Sequence, residues 1–231
     1  MGLFGFGKKP IPIPYTREDM QRDINPSRIN AEVYQGNYGG PLTPLQCAIS
    51  YGSPSIVGEL LRNGADIHNK SIGLPPDCDL AMIKEVIKYG YVFNAQEEIH
   101  YFVSSNDAKL EVIKFIIDLG VDVNSSSRNG SGRTLFQEAA TNLNSSILQL
   151  LIDSGGNVDT NSYDFDESPL FEAVLGCPAS SALVFGGGHS KIENVRLLVN
   201  AGAKSNERII ELANQIGDEE VLQILRDAGA R

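Results

Sequence analysis

The side chains best suited to nucleophilic or metal chemistry are three histidines (His68, His100, His189) and three cysteines (Cys47, Cys78, Cys177). Zinc sites take such ligands in closely spaced pairs, and none of these residues pairs at metal-ligand spacing. Cys177 and His189 stand at the two ends of CPASSALVFGGGH (177–189). A Cys–His pair activates its thiol by proton transfer to the imidazole, but no Asn or Asp signature accompanies this one, so an enzyme built on the 177–189 segment is a minor reading. GGGHSK (186–191) has the glycines of a phosphate loop without the spacing G-x-x-x-x-G-K-[ST], and no strand leads into it. The acidic run YDFDE (163–167) lacks the ligand spacing and glycine of a calcium loop and reads as a solvated tip. No catalytic residue, cofactor or metal ligand is expected.

Composition narrows the class. The chain has 231 residues, 42% hydrophobic and 21% charged, with no apolar run of membrane-helix length. Three widely spaced cysteines form no disulfide framework and suit a reducing, cytoplasmic setting. A net charge of −10 with no basic cluster beyond Lys8-Lys9 argues against nucleic acid and favours a basic protein partner. The first residues, MGLFGFGKKPIPIPY, do not read as a signal peptide, because the charges follow the apolar part. With Pro10, Pro12 and Pro14 they predict an extended arm over 1–14.

Self-similarity is the strongest pattern. A glycine followed by a polar–apolar–polar run recurs as GADIH (64), GYVFN (90), GVDVN (120), GGNVD (155) and GAKSN (202), with a last GAR at 229. Each follows a segment with an apolar stripe: IVGELLRN, MIKEVIKY, VIKFIIDL, ILQLLIDS, NVRLLVNA and VLQILRDA. Glycine there suits a helix C-terminus that turns left-handed. A shorter segment precedes most of these: TPLQCAISYG (43), EEIHYFVSS (97), TLFQEAATNL (134), SPLFEAVLG (168) and RIIELANQIG (208). Thr43, Thr134 and Ser168 are N-cap residues, and Pro44 and Pro169 suit the first helical position. The unit is a helix–turn–helix used about five times.

These residues resemble the ankyrin repeat. TPLQCAISYGSPSIVGELLRNGADIHN (43–69) follows that family's pattern without a gap, 134–159 and 208–230 follow it in register, and the likeness spans roughly residues 40–230. It implies an all-α ankyrin-repeat solenoid of about five to six irregular helix–turn–helix repeats, in one domain over 15–231. The glycine spacing varies between 26 and 47 residues. Pro75-Pro76 and the short stretch from Lys70 to Cys78 leave no room for a first helix, so the repeat near 71–96 is truncated. The 177–189 segment is an insertion between the helices of one repeat. The family's Thr-Pro-Leu-His histidine is kept only as His100, a packing position, and is replaced by Gln46, Gln137 and Phe171; the usual Thr–His bond is therefore replaced or lost. Thr16 is expected to cap a short helix with Asp19 at its third position. Ile56, Val57, Leu60 and Leu61 are expected in the core, and the charged last helix suits an end cap.

Ankyrin proteins bind partners with hairpin tips and the exposed side of first helices. Carried onto matching positions, this implies a protein-binding surface of Ser50, Tyr51 and Lys70, then Ser104 and Ser105, then Ser131, Arg133, Thr141 and Asn142, then Asp164, Phe165, Asp166, Glu167 and Leu175. Phe185 and His189 in the insertion are further candidates. Tyr51, Phe165 and Leu175 are the expected apolar anchors. The resulting expectation is a non-enzymatic protein-binding module acting through the solenoid's concave face. It resembles small bacterial ankyrin-type immunity proteins, which implies a basic toxin or enzyme as partner. A scaffold, regulatory subunit or host-directed effector is the alternative.

Overall fold

The glycines that punctuate the sequence sit in left-handed backbone, with φ of 93° at Gly64, 94° at Gly90, 89° at Gly120, 81° at Gly155 and 92° at Gly202. The computed structural model describes residues 14–35, 40–69, 72–128, 132–160, 168–176 and 191–229, and the backbone of 9–10. At Gly64 the amide donates to Leu61 O (3.1 Å) and the next amide, Ala65, to Leu60 O (3.0 Å). The same two-bond closure recurs at Gly90–Tyr91, Gly155–Gly156 and Gly202–Ala203. It satisfies helix-end carbonyls while reversing the chain. The chain forms two units, Met1–Phe93 and Asn94–Arg231.

In the first unit, α1 (Arg17–Asp23) starts at a capping box in which Thr16 and Asp19 satisfy each other's amides, as the sequence predicts. Three two-residue strands, β1 (Lys9–Pro10), β2 (Tyr34–Gln35) and β3 (Pro41–Leu42), follow the order β1-β2-β3, the first pair parallel and the second antiparallel. Lys9–Pro10 of the expected arm are paired as β1, and most of 1–14 lies outside the described residues. A helix pair follows, α2 (Pro44–Tyr51) and α3 (Pro54–Arg62), then α4 (Leu80–Lys88) packed on α3. Among the described residues no helix lies between α3 and α4, so this repeat has only its second helix. Val57, Leu60 and Leu61 are buried; Ile56 is half-buried, because it sits at the edge of the α3 stripe.

The N-terminal edge of this unit closes on one buried carboxylate. Asp23, fully buried, accepts from Tyr15 Oη (3.0 Å), Tyr34 Oη (2.5 Å) and Arg28 Nε (2.9 Å), and Arg22 Nε lies 3.3 Å away. Tyr15 N–H also donates to Tyr51 O (2.9 Å), joining this edge to the end of α2. Burial pushes the Asp23 carboxyl up, but hydrogen bonds from Tyr34, Arg22, Arg28 and Tyr15 outweigh it and hold the group below its ordinary value.

The second unit holds four helix pairs among its described residues: α5 (Ala95–Ser104) with α6 (Leu110–Asp118), α7 (Leu135–Thr141) with α8 (Ser145–Asp153), α9 (Pro169–Leu175) with α10 (Ile192–Asn200), and α11 (Glu207–Ile216) with α12 (Glu219–Gly229). First helices pack in the succession α5, α7, α9, α11, and second helices in the succession α6, α8, α10, α12. Equivalent second-helix positions form the core: Val112, Ile113 and Ile116; Ile147, Leu148 and Leu151; Asn194, Val195 and Leu198; Val221, Leu222 and Leu225. The outer side of α12 carries the exposed Glu219, Glu220, Gln223, Arg226 and Asp227.

Leu60 is fully enclosed, so Leu60→Ala should lower stability by about 2–5 kcal/mol, read in urea unfolding. Asp23 sets an acid limit. The folded chain binds this proton less tightly than the unfolded chain, so the stabilisation is complete above the ordinary value near 3.8 and fades as pH falls through the lower, folded value. Melting temperature should drop in that acid window, and less steeply in Asp23→Asn.

Candidate functional site

The hairpin between α6 and α7 is closed by a bridge from Ser126 to Thr134 and by Ser127 N–H donating to Arg133 O (2.7 Å). The hairpin and the start of α5 border an open cavity of about 570 Å³, lined by Gln96, Glu97, Asp122, Asn124, Ser125 and Arg128 among others. Gln96 reads the hairpin backbone as a strand neighbour would. Its Oε1 accepts from Asp122 N–H (2.9 Å), and its Nε2 donates to Ser125 Oγ (2.6 Å) and Asp122 O (3.3 Å). Asn124 Oδ1 accepts from Asn157 N–H (2.7 Å) at the next hairpin. The walls are therefore held before any ligand arrives. Arg128, with 82% of its side chain exposed, stands at the rim, 3.7 Å from Glu97.

Behind this cavity runs a buried polar chain. His100 is enclosed, as its packing position implied, with Nε2 3.3 Å from Ser125 Oγ and Nδ1 2.9 Å from Glu138 Oε2. Burial pushes the Glu138 carboxyl above its usual range, against the opposing pull of His100 and Arg133. Arg133 is engaged by Glu172 of the next repeat and donates to Gln137 O (2.7 Å). In the other repeats the histidine position is filled differently. Gln46 and Gln137 close reciprocal capping boxes with Thr43 (2.7 Å) and Thr134 (2.9 Å). Phe171 forgoes that bond, and the Arg208 guanidinium lies over its ring at 4.5 Å.

The expected contact residues divide. Ser50 and Ser104 are exposed, and Tyr51, Ser105 and Thr141 are half-buried. Arg133 is spent on Glu172 and Gln137, with 13% of its side chain exposed. Asn142 and Leu175 face inward, at 3% and 8% exposure, which corrects the expectation of surface positions. Leu175 closes the last turn of α9 against the core. Asn142 Nδ2 donates to Val103 O (2.8 Å) and Ser105 O (2.9 Å), the unpaired carbonyls at the end of α5. Asn194 does the same one repeat later, to Ala140 O (2.9 Å) and Asn142 O (3.0 Å). Lys70, Ser131, Asp164, Phe165, Asp166, Glu167, Phe185 and His189 lie outside the described residues, as does Cys177. Cys47 and Cys78 are buried and not disulfide-bonded, and burial, with Asp23 nearby, pushes the Cys47 thiol up to about 12.

Sequence reasoning missed Gln96, Asp122, Asn124 and Arg128, although the polar run DVNSSSR after Gly120 marks the hairpin. It also missed the exposed Tyr101 (51%) and Leu143 (69%). Among the described residues no group of His, Cys, Asp and Glu could hold a metal ion, and no helix is long and apolar enough to cross a membrane.

Residues 42–72 match the family described as Ankyrin repeat, and residues 99–152 the family described as Ankyrin repeats (many copies). No curated protein matches the chain. Among solved structures, the ankyrin repeat domain of Bcl-3, described as a unique member of the IkappaB protein family, is similar at 22% identity. That likeness covers 80% of this chain and 82% of that one, with a TM-score of 0.56, and is a likeness of fold. The helix pairs, their stacking and the matched segments together are those of an all-α ankyrin solenoid of several repeats.

The Asn142 bonds give a direct test. Asn142→Ala leaves the Val103 and Ser105 carbonyls without these donors, and should lower stability by about 1–3 kcal/mol in urea titrations.

Proposed function

With ankyrin repeats as the premise, we propose that this protein binds another protein through the hairpin tips and first-helix surfaces of its repeats. Ankyrin repeats are in general protein-binding modules. The observation that carries the reading is the polar cavity at the hairpin after α6, whose walls are fixed by Gln96 and Asn124 while Arg128 and Glu97 stand at its rim. A preformed surface binds with little ordering cost. Ser104, Ser105 and Thr141 extend the proposed contact within the second unit; in the first unit Ser50 and Tyr51 are proposed contacts by themselves.

The net charge of −10 directs the choice of partner. An acidic surface attracts a basic protein and speeds its capture. The sharper form of the proposal is an acidic inhibitor occluding a basic toxin or enzyme, in the manner of an immunity protein. The exposed Tyr101 and Leu143 favour a second reading, an apolar scaffold or regulatory contact.

Pull-downs from the native lysate at low and moderate salt separate these readings. A basic partner should be captured at low salt, released as salt rises, and bound about tenfold more weakly by Glu97→Lys, a loss of about 1.4 kcal/mol. A salt-resistant partner lost with Tyr101→Ala/Leu143→Asp supports the scaffold contact. Capture of no partner under either condition overturns protein binding.

A further inference from the structure

We propose that Ser125, His100 and Glu138 form an acyl-transfer relay at the wall of the 570 Å³ cavity, able to accept the acyl group of a small activated ester. The three residues come from different places: His100 from α5, Ser125 from the hairpin after α6, and Glu138 from α7 of the following repeat. The relay shares its cavity with the proposed protein contact but does not require it, since labelling of Ser125 is read without any partner.

The relay requires Glu138 as the ionised partner: His100 Nδ1–H then donates to Glu138 Oε2 and Nε2 is left as an acceptor, whereas a protonated Glu138 would donate to Nδ1 and reverse the chain. Ser125 Oγ–H then donates to Nε2 at 3.3 Å, within the looser range of an unliganded site. The lone pairs of Ser125 Oγ accept from Gln96 Nε2–H at 2.6 Å. In that tautomer every donor meets an acceptor and Nε2 is free to act as a general base. His100 and Glu138 are almost wholly buried, whereas Ser125 is half-buried and lines the cavity. The nucleophilic oxygen is thus the member of the relay that meets a ligand.

The steps balance. Ser125 Oγ forms a bond to the acyl carbon as its proton passes to His100 Nε2. The ester's C–O bond breaks, and the leaving alkoxide takes that proton. Water then attacks the acyl-serine, gives a proton to His100, and the carboxylic acid leaves as Ser125 recovers its hydrogen. Gln96 Nε2–H fixes the position of Oγ. Ser125 and His100 are the catalytic residues. Glu138 is a positioning residue that holds the imidazole, and the groups facing it are His100 from α5 and Arg133 from the segment leading into α7. The same bonds also tie the hairpin to two helices, so a purely structural role must be distinguished.

A fluorophosphonate probe on the full chain makes that distinction, with the adduct located by mass spectrometry. Its phosphorus is attacked by Ser125 Oγ, fluoride leaves, and the proton goes to His100. The relay predicts that Ser125 is modified in the folded chain about a hundredfold faster than in urea. His100→Gln should lose that advantage in a chain whose melting curve shows it still folded at the labelling temperature. Glu138→Gln should move the pH midpoint of labelling. p-Nitrophenyl acetate hydrolysis should follow the labelling and vanish in Ser125→Ala. Equal labelling of folded and unfolded chain, or labelling unchanged in His100→Gln or in pH profile by Glu138→Gln, overturns the relay and leaves the bonds a structural role.

Discussion

A two-helix unit of this size cannot enclose its own apolar stripe, and the first helix ends with carbonyls that point into what must become the interior. Both deficits are met by the following repeat. Its second helix covers the stripe, as α8 covers α6 and α10 covers α8. Its buried asparagine supplies the missing donors: Asn142 for the end of α5 and Asn194 for the end of α7. Asn194 occupies a second-helix position that carries Val112, Ile147 or Val221 in other repeats, so here a carbonyl's need for a donor prevails over apolar packing. The nearest-neighbour character of a repeat protein is visible in these bonds.

Around α1 and α12 other devices take over. The first unit finishes its N-terminal edge with Asp23, whose charge is matched by two arginines and two tyrosines, so that a buried carboxylate orders α1, β2 and the chain between them. Such a charge is tolerable only with its full set of partners. The second unit finishes with α12, which buries Val221, Leu222 and Leu225 and turns its charged side outward. The two solutions differ because one edge is closed by α1 and its flanking segments, which bring Tyr15, Arg22, Arg28 and Tyr34 to Asp23, and the other by a helix.

The buried chain from Ser125 through His100 and Glu138, with Arg133 and Glu172 beyond, joins three successive repeats behind the hairpin cavity. Low polarity makes each link costly to break. It also makes the cavity wall rigid, which serves a binding surface that must be ready before its partner arrives. An acidic chain with a preformed polar recess and a few exposed apolar side chains has the physical means for protein recognition, whichever partner it takes.

Much of this was legible in one dimension. The left-handed glycines at 64, 90, 120, 155 and 202 were readable from the run that follows each, because only a helix end reuses that pattern with an apolar stripe before it. The caps at Thr16, Thr43, Thr134 and Ser168 were local too, set within three or four residues. Pro75-Pro76 announced the missing first helix. The candidate site was less legible. A polar residue's type does not say whether it faces water or a neighbour's carbonyl, which is why Asn142, Arg133 and Leu175 were expected outside and lie within. The helices, their ends and the repeat follow from residue order, since those rest on contacts within one turn. Which polar groups meet across repeats follows from stacking. Ser125 and Glu138 approach His100 because stacking brings together residues 25 and 38 positions apart, a distance over which sequence spacing carries no geometric information.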